Sequence, residues 1–70
     1  MEGKLLKGKI ISKGYSVEEF CIEVGISKTS FYRKLSGITE FSRSEIEKII
    51  RSLELNENEI IEIFFAKKVS

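Results

Sequence analysis

Residues 16–37 read SVEEFCIEVGISKTSFYRKLSG, and this stretch decides the fold. Ser16, followed three residues later by Glu19, is a capping box in which hydroxyl and carboxylate each accept the other residue's N–H. A helix therefore starts at Val17 and runs to residue 24. Phe20, Cys21 and Val24, at i, i+1 and i+4, give it one apolar face. Gly25 ends it, because glycine enters the left-handed conformation without a Cβ penalty. Ile26 then acts as an apolar plug and Ser27 caps a second helix over 28–36. Phe31 and Leu35, at i and i+4, form its inward face. Lys28, Thr29, Ser30, Tyr32, Arg33 and Lys34 remain outside. Two short helices around a glycine turn, the second basic and hydroxyl-rich on its outer side, are the pattern of a helix-turn-helix DNA reader.

The stretch resembles the lambda-repressor-like (Cro/cI) helix-turn-helix family. That pattern has a small residue in the first helix and a glycine four residues later. An apolar residue, a capping Ser or Thr, and an apolar anchor inside the second helix follow. Cys21, Gly25, Ile26, Ser27 and Phe31 stand in those places. The likeness extends over nearly the whole chain and is greatest to short Cro-like or anti-repressor proteins of phages from Gram-positive bacteria. Two positions depart from it. Val17 stands where the family often carries a Gln that braces against DNA, and the second anchor position holds Lys34, with the apolar residue at Leu35. The resemblance implies a compact, five-helix, all-α domain of the lambda-repressor-like kind. It also implies that the loop after the second motif helix clamps the DNA backbone with Thr39, Ser42 and Arg43.

DNA recognition needs phosphate contacts for position and base contacts for specificity. Arg33 is the best base reader, since a guanidinium can donate two bonds to guanine in the major groove. Lys28 can reach guanine or phosphate, Thr29 a thymine methyl or a hydrogen-bond partner, and Tyr32 a sugar or thymine methyl. Ser27, Ser30 and Lys34 join Thr39, Ser42 and Arg43 as expected backbone contacts. The plain alternatives are a surface salt bridge from Arg33 to Glu23 or Glu40, and a purely capping role for Ser42. So short a helix places few base contacts, so specificity calls for two copies on paired half-sites.

Flanking segments complete the bundle. Residues 3–13 form a helix with Leu5, Leu6, Ile10 and Ile11 on one face and Lys4, Lys7, Lys9 and Lys13 on the rest. These lysines are either a solvated face or include a phosphate contact. Gly14 caps this helix, and Tyr15 packs on it. After the motif, Ile38 and Phe41 pin the loop to the core. Ser42 with Glu45 is a second capping box for a helix over 43–53, where Ile46, Ile49, Ile50 and Leu53 are spaced i, i+3, i+4, i+7. Asn56 with Glu59 opens a last helix over 57–67. Ile60, Ile61 and Phe64 fit one of its faces, leaving Ile63 and Phe65 elsewhere. A terminal helix apolar on several sides either collapses onto a small core or is covered by a partner. Ile60, Ile63, Phe64 and Phe65 are thus the expected dimer or partner interface.

Composition narrows the chemistry. Seventy residues, 41% of them apolar, make a single domain (1–70) with a small core and no room for a deep cleft. There is one cysteine and no histidine. Cys21 cannot form an internal bridge and implies a reducing compartment or a buried thiol, with the cytoplasm as the default location. Lacking histidine, a glycine-rich phosphate loop and a nucleophile motif, the chain is not expected to be an enzyme or to carry a metal or cofactor, and no small-molecule substrate is implied. No apolar run nears the roughly 20 residues that span a bilayer, and the first 14 residues are too interrupted for a signal peptide; no membrane is expected. Net charge is only +1, but residues 1–43 carry eight Lys/Arg against five acidic residues and residues 44–70 four against six. A basic first part containing the motif suits double-stranded DNA.

The expected function is a DNA-binding transcriptional regulator of the Cro-like repressor type, homodimeric through its last helix, with residues 28–36 in the major groove. The alternative is an anti-repressor that docks on a repressor protein through its apolar surface. Near-neutral charge, Val17 and the surplus Ile63 and Phe65 favour that alternative.

Overall fold

Ser16 with Glu19, Ser42 with Glu45 and Asn56 with Glu59 each exchange two hydrogen bonds of 2.8–3.2 Å, and each pair begins a helix. The computed structural model describes residues 1–65. Within them lie α1 (Gly3–Ser12), α2 (Val17–Val24), α3 (Lys28–Leu35), α4 (Arg43–Leu53) and α5 (Glu57–Phe64), with no strand among the described residues. Ser27 starts α3 more simply, its hydroxyl accepting the Ser30 N–H at 3.2 Å.

The ends of α1 to α4 share one device. The N–H of Tyr15, Ile26, Ile38 and Leu55 each donates to a carbonyl five residues back, at 3.0–3.2 Å. The residue before each is left-handed: Gly14, Gly25, Gly37 and, without a glycine, Glu54 at φ 51°. In this motif the following apolar residue normally folds back onto its helix. Ile26 and Leu55 are buried and Tyr15 half-buried, whereas Ile38 is 71% exposed.

Helix α2 is central, packing against α1, α3 and α4, while α5 closes on α1. Leu6, Ile10, Phe20, Val24, Phe31, Ile49 and Leu53 are fully enclosed, with Cys21, Ile26, Leu55 and Ile63 completing the core. Edge-to-face aromatic contacts cross it, from Tyr15 to Phe20, Phe31, Phe41 and Phe64, at centroid spacings of 5.3, 6.0, 5.7 and 6.4 Å. Burial pushes the Cys21 thiol pKa up, as expected of a core cysteine. A radius of gyration of 11.2 Å matches the roughly 11 Å of a well-packed chain of this length.

The start of α1 is wedged between two other helix ends. The Glu2 N–H donates to the Ile63 carbonyl of α5 at 2.8 Å. Gly3 abuts the Leu35 carbonyl of α3 so closely that a Cβ there would lie 2.5 Å from its oxygen.

Several expectations are corrected. Ile63 is 2% exposed and belongs to the core, not to a partner surface, while Ile61 faces solvent. Ile60, Ile63 and Phe64, at i, i+3 and i+4, are the inward stripe of α5, the spacing that best aligns side chains on one helical face. On α1 only Leu6 and Ile10 are buried, because a single i, i+4 pair fills its contact; Leu5 and Ile11 are exposed. Phe41 alone pins the loop after α3, the turn at Gly37 sending Ile38 to the outer side. Tyr15, packed against the core, meets Phe20 of α2 edge-on, a contact that does not bear on its expected packing on α1. The extension of α5 over residues 66 and 67 lies outside the described residues.

Candidate nucleic-acid interface

Helix α3 buries Phe31, half-buries Leu35, and turns Lys28, Thr29, Tyr32 and Arg33 outward. These four line one shallow, open depression of about 460 Å³ together with Ser36 and the exposed Ile38. Among the described residues no ion pair engages Lys28 or Arg33, and the pairing of Arg33 with Glu23 or Glu40 does not form. Two cations, two hydroxyls besides that of Tyr32, and an apolar edge therefore share one exposed face.

The expected backbone contacts are less unified. Ser27 and Ser30 sit at the capped start of α3, the Ser27 hydroxyl already accepting a bond. Thr39 opens onto a different depression, of about 340 Å³, with Lys34, Glu40, Phe41, Ile46, Phe64 and Phe65 among its walls. The Ser42 oxygen accepts the Glu45 N–H and lies 3.2 Å from the Ser44 hydroxyl, so capping engages it. Arg43 is fully solvated, with a loose 3.6 Å approach to Glu47.

Lys34, expected at the DNA backbone, is paired inside the protein. Its Nζ lies 2.6 and 2.8 Å from the two carboxylate oxygens of Glu45 and 5.8 Å from the Phe41 ring centre. It is a half-buried tether between α3 and α4. Burial raises the Glu45 pKa, but bonds from Lys34 and the Ser42 N–H outweigh that and hold the carboxyl below its usual value. Glu19 and Glu59 are lowered too, chiefly by the N–H of Ser16 and of Asn56.

Sequence reasoning did not separate the lysines of α1. Lys9 pairs with Glu59 of α5, whereas Lys7 lies over the Tyr32 ring at 5.8 Å. Lys4 and Lys7 line a depression with Tyr32, Leu35 and Ser36, beside the outer face of α3. Their i, i+3 spacing was the available signal, but only the packing of α1 against its neighbours says which way that face looks.

Of the expected interface residues, Ile60 and Phe64 are half-buried against the core and Phe65 is 64% exposed. No group of three or more His, Cys, Asp or Glu among the described residues is arranged to hold a metal ion. No described helix is long and apolar enough to cross a membrane.

Fold and surface together define a small all-helical protein with a basic, hydroxyl-bearing face on its third helix. The chain belongs to the family described as "Protein of unknown function (DUF739)", whose pattern matches residues 2–67. No curated protein and no solved structure matches it.

Proposed function

We propose that this protein is a sequence-specific DNA-binding transcriptional regulator of the Cro-like repressor type, in which α2, the Gly25 turn and α3 act as a helix-turn-helix. Helix α3 lies in the major groove; Arg33, Lys28, Thr29 and Tyr32 meet base edges. The observation that carries this reading is the contrast along α3. Lys34 is neutralised by Glu45, while Lys28 and Arg33 on the outer face have no ion-pair partner among the described residues. A free guanidinium and ammonium beside hydroxyls on an exposed helix are suited to guanine and phosphate. Ser27, Ser30, Thr39, Ser42 and Arg43 would meet the backbone, and a homodimer joined near Phe65 would supply the second half-site.

A second reading has its own support. Ile61 on α5 and Phe65 just after it are exposed, and Phe41, Ile46, Phe64 and Phe65 share the walls of a groove with Lys34, Thr39 and Glu40. With a net charge of only +1, this surface suits an anti-repressor that docks on a repressor protein. The two readings part in one experiment, the solution mass of the pure protein with and without duplex DNA across a salt series. Binding that weakens steeply as salt rises supports the DNA reader, because phosphate contacts release counterions. A protein that ignores duplex DNA even at low salt favours the anti-repressor.

A further inference from the structure

Two depressions meet at Tyr32 and Ser36, which line both. One holds Lys28, Thr29, Arg33 and Ile38; the other, of about 450 Å³, holds Lys4 and Lys7 of α1 with Glu2 as its one carboxylate among the described residues. Tyr32 is the ridge between them, and its ring carries the Lys7 ammonium at 5.8 Å. Lys4 and Lys7 lie three residues apart on one helix, so their Cβ atoms are about 5–6 Å apart on the same face. Neither forms an ion pair with a described residue, while Lys9, on the other side of α1, is held by Glu59. The wedge of Gly3 against Leu35 fixes α1 close to the end of α3, so this strip is set rigidly beside the base-facing one.

We infer that Lys4 and Lys7 form a phosphate-gripping strip and that Tyr32 positions Lys7 within it. One DNA strand's backbone runs along α1 while α3 faces the base edges. The assignment rests on the DNA-binding reading above and adds a second helix to the interface. It requires a division of labour: the α1 strip contributes affinity and salt dependence, and the Lys28–Arg33 face contributes sequence preference.

The test compares the full chain with a Lys4→Gln/Lys7→Gln variant and with a charge-matched Lys48→Gln/Arg51→Gln control on the exposed outer side of α4. Each is titrated with duplex DNA from low to moderate salt. Each phosphate contact contributes about 0.9 to the slope of log affinity against log salt. The α1 variant is therefore expected to lose about 1.8 of that slope and to bind all sequences more weakly, with base preference intact. The α4 control is expected to keep the wild-type slope. An unchanged slope in the α1 variant, or an equal loss in the control, overturns the strip while leaving the DNA reader standing. A wild-type protein that binds no duplex at low salt overturns both.

Discussion

Lys34 Nζ is bonded to both carboxylate oxygens of Glu45, at 2.6 and 2.8 Å, and the same carboxylate accepts the Ser42 N–H that starts α4. One acidic side chain thus caps one helix and fastens another. Charge-assisted bonds of this kind contribute about 1.5–3 kcal/mol where they are partly shielded. Lys34→Ala is expected to lower stability by about 1–2 kcal/mol, a drop in Tm of roughly 4–16 °C for a domain this small. Thermal unfolding followed by circular dichroism checks it. A melt unchanged within error would mean that the contact contributes nothing net.

The same contact sets a pH dependence. Glu45 has a lower pKa folded than unfolded, so over acidic pH the unfolded chain binds more protons. The stabilisation from Glu45 is full above the ordinary carboxylate value of about 4.3 and is lost as pH falls through its lower folded value. Glu19 and Glu59 act in the same direction. Stability should therefore fall steadily below about pH 4. Lys34→Ala should make that acid limb shallower, because one of the bonds lowering the Glu45 pKa is gone. Tm measured against pH for both proteins decides the matter; parallel acid limbs would exclude Lys34 as a cause.

Two glycines of α1 should respond to alanine with opposite signs. At Gly3 a Cβ would meet the Leu35 carbonyl oxygen at 2.5 Å, and that backbone cannot easily move aside. Gly3→Ala is expected to cost about 1–3 kcal/mol, as overpacking does. At Gly8 nothing lies within 4 Å of a new Cβ, and alanine is the better helix former by about 1 kcal/mol. Gly8→Ala should raise Tm and Gly3→Ala lower it. Equal effects would show that α1 does not pack against the end of α3 as described.

The helix starts were legible because Ser16, Ser42 and Asn56 each have a glutamate three residues on, a local chemistry that needs no tertiary information. So was the α4 stripe, of which Ile49 and Leu53 are buried. What escaped was orientation. Ile63 and Ile61 are equally apolar, and only the seating of α5 against α1 decides that Ile63 goes in. Lys34 looked like a free cation because its partner Glu45 is eleven residues away, beyond any helical periodicity. Ile38 looked like a core pin because apolar residues after a left-handed cap usually are. The separation of Lys4 and Lys7 from Lys9 depends on the same long-range packing.

Phe31 and Phe65 separate the core from the surface. Phe31 is fully buried at the crossing of three aromatic contacts, with Phe20, Phe41 and its neighbour Tyr32. Phe31→Ala should cost about 3–5 kcal/mol, much of what a domain of this length holds at roughly 0.1 kcal/mol per residue. Phe65→Ser, at a side chain 64% exposed, should leave Tm nearly unchanged and reduce self-association. Sedimentation and melting of the two variants together check both. Unfolding by Phe65→Ser would place that ring in the core after all.

Arg33→Ala is the direct probe of the proposed reading face. Arg33 is exposed and makes no ion pair with a described residue, so its removal should leave stability within about 0.5 kcal/mol of wild type, as for ordinary surface changes. If its guanidinium forks onto a guanine, the loss should fall on one base position of the selected site and amount to about 1–3 kcal/mol of discrimination there. Phosphate contact alone would instead weaken all sequences alike and lower the salt slope by about one. Selection of binding sites from a random duplex pool, run for wild type and variant, separates the two. Relaxed preference at a single position assigns Arg33 to a base; an unchanged preference with weaker binding moves it to the backbone and leaves Lys28 and Thr29 to carry specificity.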